Sequence, residues 1–119
     1  MTETIIALNG SARKNGNSAG MLEAFVEGVK SVDEDIRVET VHLFDLDYKG
    51  CRGCHGCELK GRNGIGCIQQ DGASALLKRM READGIVFAT PVFFWELSTQ
   101  LRALLERYIY YQARVPRLI

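Results

Sequence analysis

The run Ile5-Ile6-Ala7-Leu8 breaks off into Asn9-Gly10-Ser11-Ala12-Arg13-Lys14-Asn15-Gly16-Asn17-Ser18, and a helical pattern begins near Ala19. A continuous apolar run closed by small polar residues predicts a strand covered on both faces, a tight turn and a helix start. A strand of that kind needs helices on both sides of a sheet, which leaves few architectures open. The turn also carries chemistry. Helix-start N–H groups lack carbonyl partners, and the helix dipole favours an anion beside them. Ser11, Asn15, Asn17 and Ser18 add side-chain donors, and Arg13 adds a fixed cation with a forked donor set. Gly10, Gly16 and Gly20 stand at the wrong intervals for a Walker A loop or a dinucleotide G-x-G-x-x-G. The stretch reads as a phosphate site of another kind, or simply as a well-capped turn.

The rest of the chain repeats the alternation. Met21, Leu22, Phe25, Val26 and Val29 recur at helical spacing over residues 18–31 and predict one buried stripe. Ile36, Val38, Val41 and Leu43 predict a second strand, with His42 a polar residue near its end. Residues 45–70 differ in kind, holding six glycines, all four cysteines and little periodicity. A loop of that length inside a compact domain is usually functional or disordered. Ala73, Leu76, Leu77 and Met80 then give a second helical stripe, for which Asp71 is the expected N-cap. Residues 86–90 form a third apolar strand, stopped by Pro91. Val92, Phe93, Phe94 and Trp95 follow as an aromatic loop. Leu97, Leu101, Leu104, Leu105 and Tyr108 complete a third helix. Strand and helix in this order imply a parallel sheet with helices on both faces, and ligands bind beyond the carboxyl ends of such strands. The phosphate loop, the cysteine loop and the aromatic loop all leave from that rim.

Composition narrows the function. At 119 residues the length suits a single domain, 1–119. Lys+Arg and Asp+Glu both total 15, so nothing points to a polyanion, and nucleic-acid binding is not expected. No apolar run reaches membrane-spanning length, and Met1 leads directly into a strand. The expectation is a cytoplasmic protein without a membrane association. In a reducing compartment, clustered cysteines speak for metal or redox chemistry more than for disulfides.

Three motifs in this order resemble the flavodoxin-like NAD(P)H-dependent FMN reductases, and within them the iron–sulfur flavoproteins. The matching pieces are residues 8–18, Cys51-x-x-Cys54-x-x-Cys57 with Cys67, and residues 83–94. The helix with Ser98, Gln100, Leu101 and Ala103 also looks like its family counterpart. The resemblance implies an α/β flavodoxin-like three-layer sandwich around a central parallel sheet. It also implies an oxidoreductase that passes reducing equivalents from NAD(P)H, through FMN, to a small-molecule electron acceptor or to an iron–sulfur cluster. Ser11, Arg13, Asn15, Asn17 and Ser18 would surround the FMN phosphate, and Pro91, Val92, Phe93, Phe94 and Trp95 would border the isoalloxazine ring. No side chain reads as an obligatory acid–base catalyst; the protein would orient and tune its cofactor.

Two departures from the family pattern bear on this. Only three strands are legible, and 114–119 stand where a fourth should begin, so the fold reads as truncated after the third strand and helix. In the order 2-1-3-4-5 the third strand would then be an apolar edge, which needs a partner or a cover. A homo-oligomer through strand 86–90 and the aromatic loop is expected, or else the chain is an incomplete subunit. The second departure is the nine-residue gap between Cys57 and Cys67, in which 61–64 look like an inserted turn. Cys51, Cys54, Cys57 and Cys67 supply the four thiolates of a 4Fe–4S cluster, and Lys49, Arg52, Lys60 and Arg62 flank them. Zinc with His55 as a substitute ligand and unmetallated thiols are the competing readings. A non-enzymatic electron carrier or redox sensor using only the cysteines is the alternative function.

Overall fold

The structure is a computed structural model that describes residues 2–58 and 67–113, with side chains described as far as 57 and over 67–108. The expected turn at 61–64, Lys60 and Arg62, and the expected fourth-strand position at 114–119 lie outside the described residues. Three strands form one parallel sheet: β1 (Thr4–Asn9), β2 (Arg37–His42) and β3 (Gly85–Ala89), in the order β2-β1-β3. Register places Leu8 between Val41 and Phe88, and Asn9 between His42 and Ala89. The central strand is the continuous apolar run, as a strand covered on both faces should be. Helices α1 (Asn17–Val32), α2 (Ser74–Glu82) and α3 (Thr99–Ala113) complete the layers of a flavodoxin-like fold.

The two faces are packed unequally. Ile6 and Leu8 join Leu76, Leu77, Met80, Leu101 and Leu104 in one fully buried cluster, so α2 and α3 share that face. Helix α1 lies against β1 and β3 and buries only Ser18, Ala19 and Leu22. The expected α1 stripe is therefore only partly right. Met21 is 72% exposed and Phe25 is also exposed, while Val26 and Val29 are half-buried.

Local details explain the remaining boundaries. Leu43 falls in a short 3-10 turn after β2 and is buried, although its place in the pattern suggested a strand residue. Asp71 does not cap α2; that helix starts after Ala73 without a side-chain cap. Asp71 instead accepts the Ala73 N–H at 3.0 Å and carries a second, longer-range bond described below. Arg79 on α2 grips Glu39 on β2 with a two-pronged contact at 3.0 and 2.8 Å. At the opposite end of the sheet from the loops, Asp84 bonds Thr4 through both its carboxylate and its N–H. Because the strands are parallel, the segments after Asn9, His42 and Ala89 open on one rim.

Candidate functional site

The rim is built from β1 outward. Asn9 has no exposed surface, and its Oδ1 accepts the Ser11 N–H at 2.9 Å. That bond orients the amide, so Nδ2 is the group that donates to His42 Nδ1 at 3.1 Å. Neutral His42 accordingly carries its proton on Nε2. Ser11 is buried, and its Oγ accepts the Arg13 N–H at 3.1 Å, which coils the loop toward α1. The first residue before α1 is Gly16, with no side-chain cap. The leading N–H groups of α1 are therefore left for a ligand or water. Arg13, Asn15 and Asn17 are exposed around this helix end, and Ser18 is buried in its first turn. Lys14 is engaged by Asp45 at 2.9 Å, whereas Arg13 makes no ion pair among the described residues.

The aromatic loop is fastened directly to this turn. The Gly10 N–H donates to Ala89 O at 2.8 Å, extending the β1–β3 pairing by one bond. A Cβ on Gly10 would stand 2.9 Å from Ser98 Oγ and 3.2 Å from Ala89 O, so only glycine permits the approach. Thr90 Oγ1 accepts the Ser98 N–H at 2.9 Å and donates to Pro91 O at 2.8 Å. Ser98 in turn caps α3 by accepting the Leu101 N–H. Between these anchors the chain makes a tight turn. Phe93 and Glu96 exchange backbone bonds of 3.0 and 2.9 Å, while Phe94 and Trp95 take φ of 49° and 60°. Two positive φ values at the centre of a two-residue turn are the type I′ pattern, normally the province of Asn and Gly. Two bulky residues there store local strain, which is characteristic of ligand-binding positions. Their rings meet edge to face at 5.4 Å and are 89% and 88% exposed. Val92 and Phe93 are exposed as well, and Pro91 is half-buried. A cavity of about 550 Å3 opens between α1 and β2, with Asn9, Asn15 and Leu22 among its walls. The aromatic turn does not line that cavity; it forms an open apolar shelf.

The four cysteines surround one small cavity of about 20 Å3, with Arg107 also in its wall. Cys51 and Cys54 are exposed, and Cys57 and Cys67 are half-buried free thiols. Among the described residues no three of them stand close enough to hold a metal ion. Backbone donors nevertheless point at sulfur. Gly53 N–H reaches Cys51 Sγ at 3.3 Å, and Gln69 N–H reaches Cys67 Sγ at 3.4 Å. The Gly56 N–H, foremost, pulls the exposed Cys54 thiol below its ordinary range, with Arg52 assisting. Gly53 and His55 take φ of 67° and 57°, so the segment turns sharply twice between Cys51 and Cys57. Gly56 packs against the Ile68 side chain in a space that no Cβ could share, which brings the two arms of the loop together.

The profile of the family described as NADPH-dependent FMN reductase matches residues 4–116. The chain belongs to that family. Among its relatives, an iron–sulfur flavoprotein of Methanocaldococcus jannaschii is 33% identical over 103 residues, covering 87% of this chain and 50% of that protein. An iron–sulfur flavoprotein of Archaeoglobus fulgidus is 37% identical over 103 residues, covering 87% and 47%. The chain thus spans about half the length of the curated relatives it matches. An azoreductase of Bacillus anthracis superposes with a TM-score of 0.61 at 21% identity, over 92% of this chain and 55% of that one, which shows the shared fold. Against this FMN reductase frame, Asn9, Ser98 and Arg107 are the residues that sequence reading did not single out for the site. An arginine seven places after Gln100 and three after Leu104, inside an apolar helical stripe, was the one available signal for Arg107.

Proposed function

We propose that this chain binds FMN at the rim beyond β1 and β3 and takes part in moving reducing equivalents from NAD(P)H to a small-molecule acceptor or an iron–sulfur cluster. The observation that carries the reading is the fastening of an uncapped helix start and an exposed aromatic shelf to one another through Gly10, Ala89 and Ser98. A flavin mononucleotide asks for an anion site at one end and a flat apolar wall at the other. Ser11, Arg13, Asn15, Asn17 and Ser18, with the first N–H groups of α1, would hold the phosphate. Pro91, Val92, Phe93, Phe94 and Trp95 would border the ring. The flavin supplies the hydride and electron chemistry when bound. The chain's own residues would bind it, orient it and cover one side of it from water.

For the cysteines, the donor set suits a 4Fe–4S cluster: four thiols on one cavity, two of them receiving backbone N–H bonds of the sort that tune such clusters. Cys51, Cys54, Cys57 and Cys67 would have to draw closer to ligate it. A thiol-based electron carrier is the second reading, favoured by the exposure of Cys51 and Cys54.

Anaerobic purification of the full chain followed by a visible spectrum separates these readings. Resolved flavin bands support FMN binding, a broad iron–sulfur absorption supports the cluster, and a chain with neither but with oxidisable thiols supports the thiol-based carrier. For the phosphate loop, Arg13→Ala should raise the FMN Kd about tenfold, equivalent to ~1.4 kcal/mol for a charge-assisted contact. Unchanged affinity in a fluorescence titration would remove Arg13 from the site.

A further inference from the structure

Among the described residues Arg107 is the largest fully buried side chain, 1% exposed in the middle of α3. Its Nη1 donates to both Asp71 oxygens at 2.9 and 2.7 Å and to Lys49 O at 3.3 Å, and its Nη2 donates to Gln69 O at 3.1 Å. Lys49 and Gln69 lie two residues outside Cys51 and Cys67, so one guanidinium joins both stems of the cysteine loop. It also stands within hydrogen-bonding reach of the Cys67 thiol and lines the cavity that the four cysteines share. Gln69 Nε2 adds a bond to Gly50 O at 3.2 Å, and the neighbouring Glu106 accepts the Cys51 N–H at 3.3 Å. One polar atom is unaccounted for: Arg107 Nε is buried with no hydrogen-bond partner among the described residues. A buried donor left without an acceptor destabilises the fold.

We propose that Arg107 is the positioning residue of the cysteine site, holding Cys67 against the 51–57 segment through the Lys49, Gln69 and Asp71 acceptors. Only arginine can do this. Its planar fork reaches acceptors from separate segments at once, and it stays charged when buried, whereas a lysine ammonium is a single point donor on a flexible stem. Asp71 pairs with the charge and offsets part of the penalty of burying it. The guanidinium then ties both stems beside the cavity that the four thiols share, an arrangement suited to a polynuclear group held by them. That last element rests on the cluster reading; the positioning of Cys67 does not.

Two measurements on the full chain keep the two apart. In the first, a short bifunctional thiol reagent is applied to reduced, metal-free protein, and Cys67 cross-links to Cys51, Cys54 or Cys57 are mapped by peptide mass. Arg107→Lys should lose them at least fivefold while its circular dichroism matches the wild type. Because a lone substitution can unfold a buried ion pair, Arg107→Met with Asp71→Leu is the second variant, replacing both charges by apolar volume. It should fold and also lose the cross-links. Wild-type cross-linking in whichever of these variants folds overturns the proposal. In the second measurement, anaerobic incubation with ferrous iron and sulfide should give wild-type protein with a stable iron content and the folded variants with less than a third of it. Equal iron in variant and wild type also overturns the positioning role. A wild type that takes up no iron defeats the cluster reading alone, and the cross-linking result then decides Arg107 by itself.

Discussion

Tyr48 shows how a single buried side chain links the cysteine loop to α3. Its ring is buried and its hydroxyl donates to Gln100 O. Burial pushes the phenol well above the usual tyrosine range; the Arg107 charge works against that rise, and the Asp71 charge adds to it. The folded pKa is raised, so the unfolded chain loses this proton first. The associated stability is complete below pH ~10, the ordinary tyrosine value, and falls as pH rises beyond it. Tyr48→Phe should lower stability at neutral pH by about 1 kcal/mol through the lost hydrogen bond. It should also flatten the alkaline decline; urea unfolding from neutral to alkaline pH measures both. Parallel curves for the two proteins would show that another group governs the alkaline limb. Asn9 makes a related point about legibility. Its type and place were plain in the chain, but its partner His42 lies 33 residues away, and only the pairing of β1 with β2 shows why a polar residue ends a buried strand.

At the scale of elements, the strand–turn–helix units were legible because each is written in local pattern: an apolar run, a glycine break, a helical stripe. The turn between β3 and α3 was legible as aromatic, yet its backbone was not. Nothing in Phe94-Trp95 announces positive φ, a conformation that costs an ordinary residue about 1–2 kcal/mol. Replacing the pair by the residues that favour this turn, Phe94→Asn with Trp95→Gly, should stabilise the chain by about 1 kcal/mol in denaturant unfolding. The same change removes the apolar shelf, so FMN affinity should fall. A double variant that is less stable, or that keeps full FMN affinity, would mean the strain serves packing and not a ligand. Helix α2 teaches the converse. Asp71 has the type and position of a cap, but the buried Arg107 guanidinium recruits its carboxylate into an ion pair instead.

For the whole molecule, the three described strands leave the sheet with two edges, β2 on one side and β3 on the other. Among the described residues β3 bonds only β1, and Phe88 on it is 46% exposed beside the exposed aromatic turn. An apolar edge of this kind attracts another strand or a cover. We propose that copies of this chain associate through β3 and the aromatic turn. Size-exclusion with light scattering should return a multiple of 13.3 kDa, and a monomer at micromolar concentration would contradict it. Sequence alone determined the element order, the parallel sheet and the three loops on one rim. Those features follow from hydropathy period, turn chemistry and strand direction, all of which are local. Tertiary structure alone decided what the loops rest on. Arg107 meets Asp71, Gln69 and Lys49 across 36, 38 and 58 residues of chain. Met21 and Phe25 keep a helical period yet stay outside the core. A periodic pattern records that a face is apolar; which groups a buried donor meets depends on how the elements are stacked, and no short stretch of chain encodes that.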